Sequence, residues 1–220
     1  MAGYKFFVLT NPVAGREDEY NDWYSNRHLA DIVAIPGFSA AQRFVQRKAM
    51  MGDIPQKYLA IYELDVTDLP AALAAVETIS QTEMEISDGL DIESVAAGLF
   101  EPCGELHADD GAQPGPFRTI ALTDAAQGRD AEFNDWYTNV HIREVMEAGG
   151  HGSAERFRRR SPAPSLDEEY LALYSLEGKD WPAVEQAMQN SASVKFTLSD
   201  AGKPDVRLAL YEACCPRVTA

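Results

Sequence analysis

The chain predicts an α+β fold in which two tandem βαββαβ repeats close face to face into one intrachain barrel. Three observations predict it. A thirty-residue segment recurs 113 positions downstream, the same order of strand- and helix-forming segments surrounds each copy, and each half carries too few helices to cover both faces of its own sheet.

The repeat comes first, because an undetected duplication misassigns a whole fold. GREDEYNDWYSNRHLADIVAIPGFSAAQRF, from Gly15, aligns without a gap on GRDAEFNDWYTNVHIREVMEAGGHGSAERF, from Gly128, and 13 of 30 positions are identical. The shared residues include the rare pairs Trp23/Trp136 and His28/His141, beside Asn21/Asn134, Tyr24/Tyr137 and Arg43/Arg156. Downstream, YLAIYEL from Tyr58 pairs with YLALYSL from Tyr170, and LFEPC from Leu99 with LYEAC from Leu210.

Each copy opens on an apolar run, residues 6–9 and 119–122, that reads as a strand. A helix carrying NDWY follows Gly15 or Gly128 and stops at Pro36-Gly37 or Gly149-Gly150. Two strands come next, at residues 39–48 and 58–64, and in the second copy at 153–160 and 170–176. An Ala-rich helix occupies residues 69–79 or 181–189, where Pro182 suits a first turn. A last strand falls near residues 95–100 or 206–211. This is the ferredoxin-like β-α-β-β-α-β plan. It divides the chain into residues 1–103, a linker at 104–115 within the stretch from Pro102 to Pro116 that holds three prolines and several acids, and residues 116–220. One layer of helices covers one sheet face, so the bare faces of the two halves must cover each other.

Composition narrows the function classes. A net charge of −16 repels phosphate backbones and anionic lipid, so neither nucleic acid nor a membrane surface is an expected partner. The opening residues lack a signal-peptide pattern, and no apolar run reaches membrane-spanning length. Cys103, Cys214 and Cys215 have no metal-ligand spacing and read as reduced thiols, which places the expected compartment in the cytoplasm. Phosphate-binding glycine loops, nucleophile elbows and C-x-x-C pairs are missing from the sequence.

NDWYSNRHLADIVAIPGFSAAQRF and FNDWYTNVHIREV resemble the W-Y-x-x-x-H-[LI] helix of EthD-like proteins, a branch of the dimeric α+β-barrel superfamily. The first copy also has that family's Pro-Gly-Phe turn into an x-x-R-F strand, where the second has Gly149-Gly150-His151. The resemblance implies a dimeric α+β barrel, here made by one chain. It also implies a small-molecule enzyme of aromatic or xenobiotic catabolism. The superfamily spans muconolactone isomerase, polyketide cyclases, cofactor-free monooxygenases and haem enzymes, so it constrains fold more than reaction.

Tyr20, Tyr24, His28 and Asp31 are spaced to share one helix face, and Phe133, Tyr137, His141 and Glu144 repeat the stripe. An imidazole flanked by a phenol and a carboxylate makes a proton-transfer set, with Asp31 or Glu144 holding the tautomer and Tyr24 or Tyr137 facing an oxyanion. The bland alternative is a packed aromatic face with surface carboxylates. Arg43 and Arg156 alternate with Phe44 and Phe157 along their strands. They either bind a substrate carboxylate or pair with Glu63, Glu101, Glu177 or Glu212. Arg143 beside His141 adds a second anion contact. Trp23 and Trp136 read as core that could also line a substrate site, and Asp22, Asp135, Asn26 and Asn139 as partners of nearby backbone. His28-x-x-Asp31 and His141-x-x-Glu144 are too sparse to specify a metal.

These readings converge on a cofactor-independent, metal-free enzyme moving a proton on a small, unsaturated, anionic substrate, by cis–trans or tautomeric isomerisation or an allied lyase or cyclase step. A non-catalytic small-molecule binding protein and a cofactor-free oxygenase are the alternatives. A homodimer remains compatible with the pattern. The flanks of the two histidines differ, which predicts unequal sites and tilts the expectation towards His141.

Overall fold

A computed structural model describes residues 3–108, 115–148, 150–161, 166–191 and 194–220. The first half runs β1 (Lys5–Pro12), α1 (Glu17–Trp23), a π-helical turn (Tyr24–His28), α2 (Leu29–Val33), β2 (Phe38–Met51), β3 (Tyr58–Leu64), α3 (Leu69–Gln81) and β4 (Leu90–Pro102), followed by β5 (His107–Ala108). The second repeats this order: β6 (Phe117–Thr123), α4 (Asp130–Trp136), a π-helical turn (Tyr137–His141), α5 (Ile142–Glu147), β7 (His151–Arg159), β8 (Tyr170–Leu176) and α6 (Trp181–Ser191). It ends with β9 (Arg207–Ala213) and β10 (Val218–Thr219). Antiparallel pairing in the order β2-β3-β1-β4-β7-β8-β6-β9, returning from β9 to β2, closes an eight-stranded barrel.

The two-residue period of the strands decides what fills the barrel. Phe7, Phe44, Leu59 and Phe100 from the first half meet Ile120, Leu122, Phe157 and Tyr211 from the second in one buried cluster. Phe7 stands edge-on to Phe100 at 5.4 Å and to Phe157 at 5.7 Å, so the core is shared across the halves. The alternate residues face outward under the helices, where Tyr20, Tyr24, Leu29, Ile32 and Tyr62 form a second buried cluster.

The second helix of each repeat starts at a capping aspartate. Asp68 accepts from the Ala71 amide at 2.9 Å and Asp180 from the Ala183 amide at 3.0 Å. The turn into β2 or β7 uses a left-handed glycine, Gly37 at φ 101° and Gly150 at φ 83°. A Cβ there would lie 3.0 Å from that of Ala75 on α3, or 2.8 Å from that of Ala187 on α6. Conformation and close approach therefore both require glycine.

Three features were not anticipated. Strand β2 runs on to Met51, because its far end pairs with β9 of the other repeat. The first helix of each copy is interrupted by a π-helical turn. Each half also ends in a tail that crosses to the other: β10 pairs with Ala40 and Ala41 of β2, and β5 with Ser153 and Ala154 of β7. The start of the expected linker is thus part of the sheet. Residues 109–114 of that linker, and Gly149 of the expected helix stop, lie outside the described residues. Among the described residues no helix is long and apolar enough to cross a membrane.

Candidate active site

The interruption of the first helix shapes the site. The Leu29 amide reaches back to the Tyr24 carbonyl and the Ile142 amide to that of Tyr137, five residues instead of four, which widens the turn. Residues five apart then lie one above the other. Trp23 stacks on His28 at 4.5 Å and Trp136 on His141 at 4.9 Å, both with rings 27° apart. Tyr24 and Tyr137 each present an edge to the same imidazole at 4.8 Å. Sequence spacing had anticipated the tyrosine contact through a regular helix; the tryptophan contact arises from the extra residue.

Both histidines are half-buried, and in each the Nδ1 atom is buried without a hydrogen-bond partner. Burial lowers the His28 pKa to about 4, against the opposing pull of Asp31 and helped by Arg43. Burial likewise lowers that of His141. Each ring is therefore a neutral imidazole near neutral pH.

The carboxylates do not hold those rings. Asp31 lies 3.7 Å from Arg27, and Glu144 accepts from the Thr197 amide at 2.7 Å and from the Thr197 hydroxyl. They act on the histidines through their field alone. The phenols are also turned inward: Tyr62 donates to the Tyr24 hydroxyl at 3.1 Å, and the Tyr137 and Tyr174 hydroxyls lie 3.2 Å apart. Tyr24 and Tyr137 thus orient the imidazoles with their ring edges and do not aim a hydroxyl at an oxyanion.

Arg43 is 1% exposed and Arg156 2%. Three of the four expected glutamate partners are engaged elsewhere, Glu63 with Arg217, Glu101 with Arg160 and Glu212 with Arg47, and no ion pair from Glu177 or any other acid to either arginine occurs among the described residues. Arg43 instead lies over the rings of Tyr20, Tyr24 and Tyr58 at 4.9, 4.3 and 4.9 Å. It donates to the Ser25 hydroxyl at 2.6 Å and to the Asn21 side-chain oxygen at 3.1 Å. A guanidinium held by π faces and neutral oxygens keeps its full positive charge uncompensated. Arg156 repeats the arrangement over Phe133, Tyr137 and Tyr170 and donates to Thr138 at 3.2 Å.

The halves differ in detail. Asn21 bridges Arg43 to the Tyr58 hydroxyl, whereas the Asn134 side-chain oxygen and one Arg156 terminal nitrogen are buried without a partner. Tyr20 bonds Thr10 at 2.6 Å, and the second half has Phe133 there, which leaves the Thr123 hydroxyl alone.

Of the other candidates, Trp23 is buried, with its indole N–H on the Glu85 carbonyl, while Trp136 is half-buried and bonds that of Thr197. Arg143 is exposed. Asn26 and Asn139 donate to the side chains of Asp22 and Asp135, not to backbone. Three residue pairs of the arginine cage, Asn21/Asn134, Ser25/Thr138 and Tyr58/Tyr170, and the pair Tyr62/Tyr174 that bonds its tyrosines, have no site role in the sequence reading. Their recurrence in both repeats, identical but for serine against threonine, was the available signal. A cleft of about 740 Å³ adjoins the second site, lined by Trp136, Val140 and Leu198 with the acids Glu132, Asp135 and Asp200. No cluster of His, Cys, Asp or Glu suited to a metal occurs among the described residues.

No family model matches the chain. Over 48 residues it is 42% identical to core atranone cluster protein 1 of Stachybotrys chlorohalonatus, a match spanning 22% of this chain and only 20% of that protein. In fold it is similar to the crystal structure of an anthrone oxidase-like protein, with TM-score 0.63 and 8% identity over 100% of this chain and 94% of the other. It is also similar to a Fusobacterium nucleatum protein assigned as a monooxygenase, with TM-score 0.55 and 12% identity over 99% and 95%. These likenesses agree with the α+β barrel.

Proposed function

We propose that this protein is a cofactor-independent enzyme that takes a proton from a small, unsaturated, anionic substrate and returns it at another position, as in the isomerisation of an aromatic-derived catabolite. The observation that carries this reading is a neutral, partly exposed imidazole beside a buried guanidinium with no carboxylate partner among the described residues, built twice on the same helix–strand pair. His28 or His141 accepts the proton. Trp23 and Tyr24, or their counterparts, hold the ring in place, and Arg43 or Arg156 stabilises the resulting enolate or phenolate through its field. A base with a lowered pKa suits an anionic substrate, because the bound negative charge raises that pKa and removes the penalty on the imidazolium.

A second reading shares the first step. The same carbanion could transfer an electron to dioxygen, and the anthrone oxidase-like and monooxygenase neighbours favour that fate. The test is incubation of the protein with unsaturated ring-cleavage acids and anthrone-type phenols in deuterated buffer, with dissolved oxygen monitored. Deuterium uptake without oxygen consumption supports isomerisation, and consumption supports oxygenation. Saturable binding with neither would overturn both and leave a binding protein.

A further inference from the structure

The first arginine cage has a neighbour that the second lacks. The tail of the second half arrives over it, the Cys214 amide donating to the Arg43 carbonyl at 3.1 Å, and Cys215 packs against the tyrosine cluster. In the other half Cys103 sits at the corresponding place, its amide bonding the Arg156 carbonyl at 3.0 Å, and Gly104 takes the position of Cys215. A Cβ at Gly104 would lie 3.8 Å from the Thr138 hydroxyl and 4.0 Å from the Arg156 Cβ, so a side chain there faces the arginine cage. Cys215 occupies the equivalent position beside Ser25 and Arg43. The Arg43 Nε is buried without a hydrogen-bond partner, and the guanidinium has no carboxylate among the described residues. Cys214 is exposed and Cys215 half-buried, so solvent reaches the pair.

We propose that Cys215 is a nucleophilic thiolate, the counterion that Arg43 otherwise lacks, and that hydroperoxides oxidise it to a sulfenic acid. The chemistry balances simply. The thiolate attacks one peroxide oxygen, an S–O bond forms as the O–O bond breaks, and sulfur loses two electrons. The attacked oxygen keeps its hydrogen as S–OH, and the departing hydroxide or alkoxide is protonated by buffer acid. The electrostatics agree: the Cys214 thiol, then Arg43 and Ser25, hold Cys215 below the ordinary thiol range against the opposing effect of burial. The other titratable group facing it is the phenol of Tyr24, which stays neutral because burial pushes it up. Cys103 is the internal reference, since burial raises its thiol while Arg156 only partly offsets this.

The experiment is iodoacetamide alkylation of the full-length protein across pH, read at each cysteine by mass spectrometry, with dimedone trapping after equimolar hydrogen peroxide. Cys215 should reach half its limiting rate at least about one pH unit below Cys103, and dimedone should mark Cys215 first. Arg43→Gln should shift the Cys215 midpoint back towards that of Cys103. As Arg43→Gln could unfold a buried cage, Gly104→Cys serves as the second variant. It places a thiol beside Arg156, and the midpoint of that new thiol should also fall below that of Cys103. Coincident midpoints for Cys215 and Cys103, dimedone spread equally over the cysteines, or an unshifted new thiol in a folded Gly104→Cys protein would overturn the proposal.

Discussion

Replacing Tyr20 by phenylalanine removes one oxygen from a fully packed place. The Tyr20 hydroxyl lies 2.6 Å from the Thr10 hydroxyl, the two residues being 0% and 2% exposed. Tyr20→Phe leaves the Thr10 hydroxyl buried without a partner, and such a group costs about 1–3 kcal/mol. The cavity left is a single atom, so packing adds little. The second half already contains this state, with Phe133 opposite an unpartnered Thr123 hydroxyl. Phe133→Tyr should therefore stabilise, by about 1 kcal/mol, the net value of a typical hydrogen bond. At this chain length that corresponds to roughly 2–4 °C in Tm. Urea denaturation of both variants, of Thr10→Val and of the Thr10→Val/Tyr20→Phe double variant gives the coupling directly. The double variant should be less destabilised than the sum of its parts, because removing both partners leaves nothing unsatisfied. Tyr20→Phe within about 0.3 kcal/mol of the parent, or additive behaviour in the cycle, would refute the role given to this bond.

Residues 1–103 expressed alone should self-associate or precipitate, because Phe7, Phe44 and Phe100 lose their partners in the shared core; sedimentation checks this, and a folded monomer contradicts it. Stability should fall with acid through His28. Its pKa drops from 6.5 unfolded to about 4 folded, so the unfolded chain binds the extra proton between those values. The contribution is complete above 6.5 and lost as pH falls to about 4, and His28→Gln should flatten that part of a pH–stability curve. Once a substrate is known, His28→Ala and His141→Ala should differ. One should lose roughly 10²-fold in turnover, and the other mainly about 1 kcal/mol of stability; equal, undiminished turnover in both removes the histidines from the mechanism.

The duplication, the element order and the closed α+β barrel could be read from the chain, because hydrophobic periodicity and repeated Trp, His and Gly positions are local quantities. That Arg43 and Phe44 take opposite faces of their strand followed from the same two-residue period; which of them enters the barrel did not. The bearing of the tyrosine stripe on each histidine was also legible. Tertiary structure decided the rest. A π-helical turn depends on what the helix packs against, so the stacking of Trp23 on His28 had no signature in spacing. The partners of Arg43 come from the first helix, its π-helical turn and strand β3, which only the fold brings together. Pattern along a sequence reports which face a residue takes; it does not report what waits there. Glutamates looked equally available to these arginines on charge alone. The barrel sent them to Arg217, Arg160 and Arg47, and left two guanidinium groups against aromatic rings.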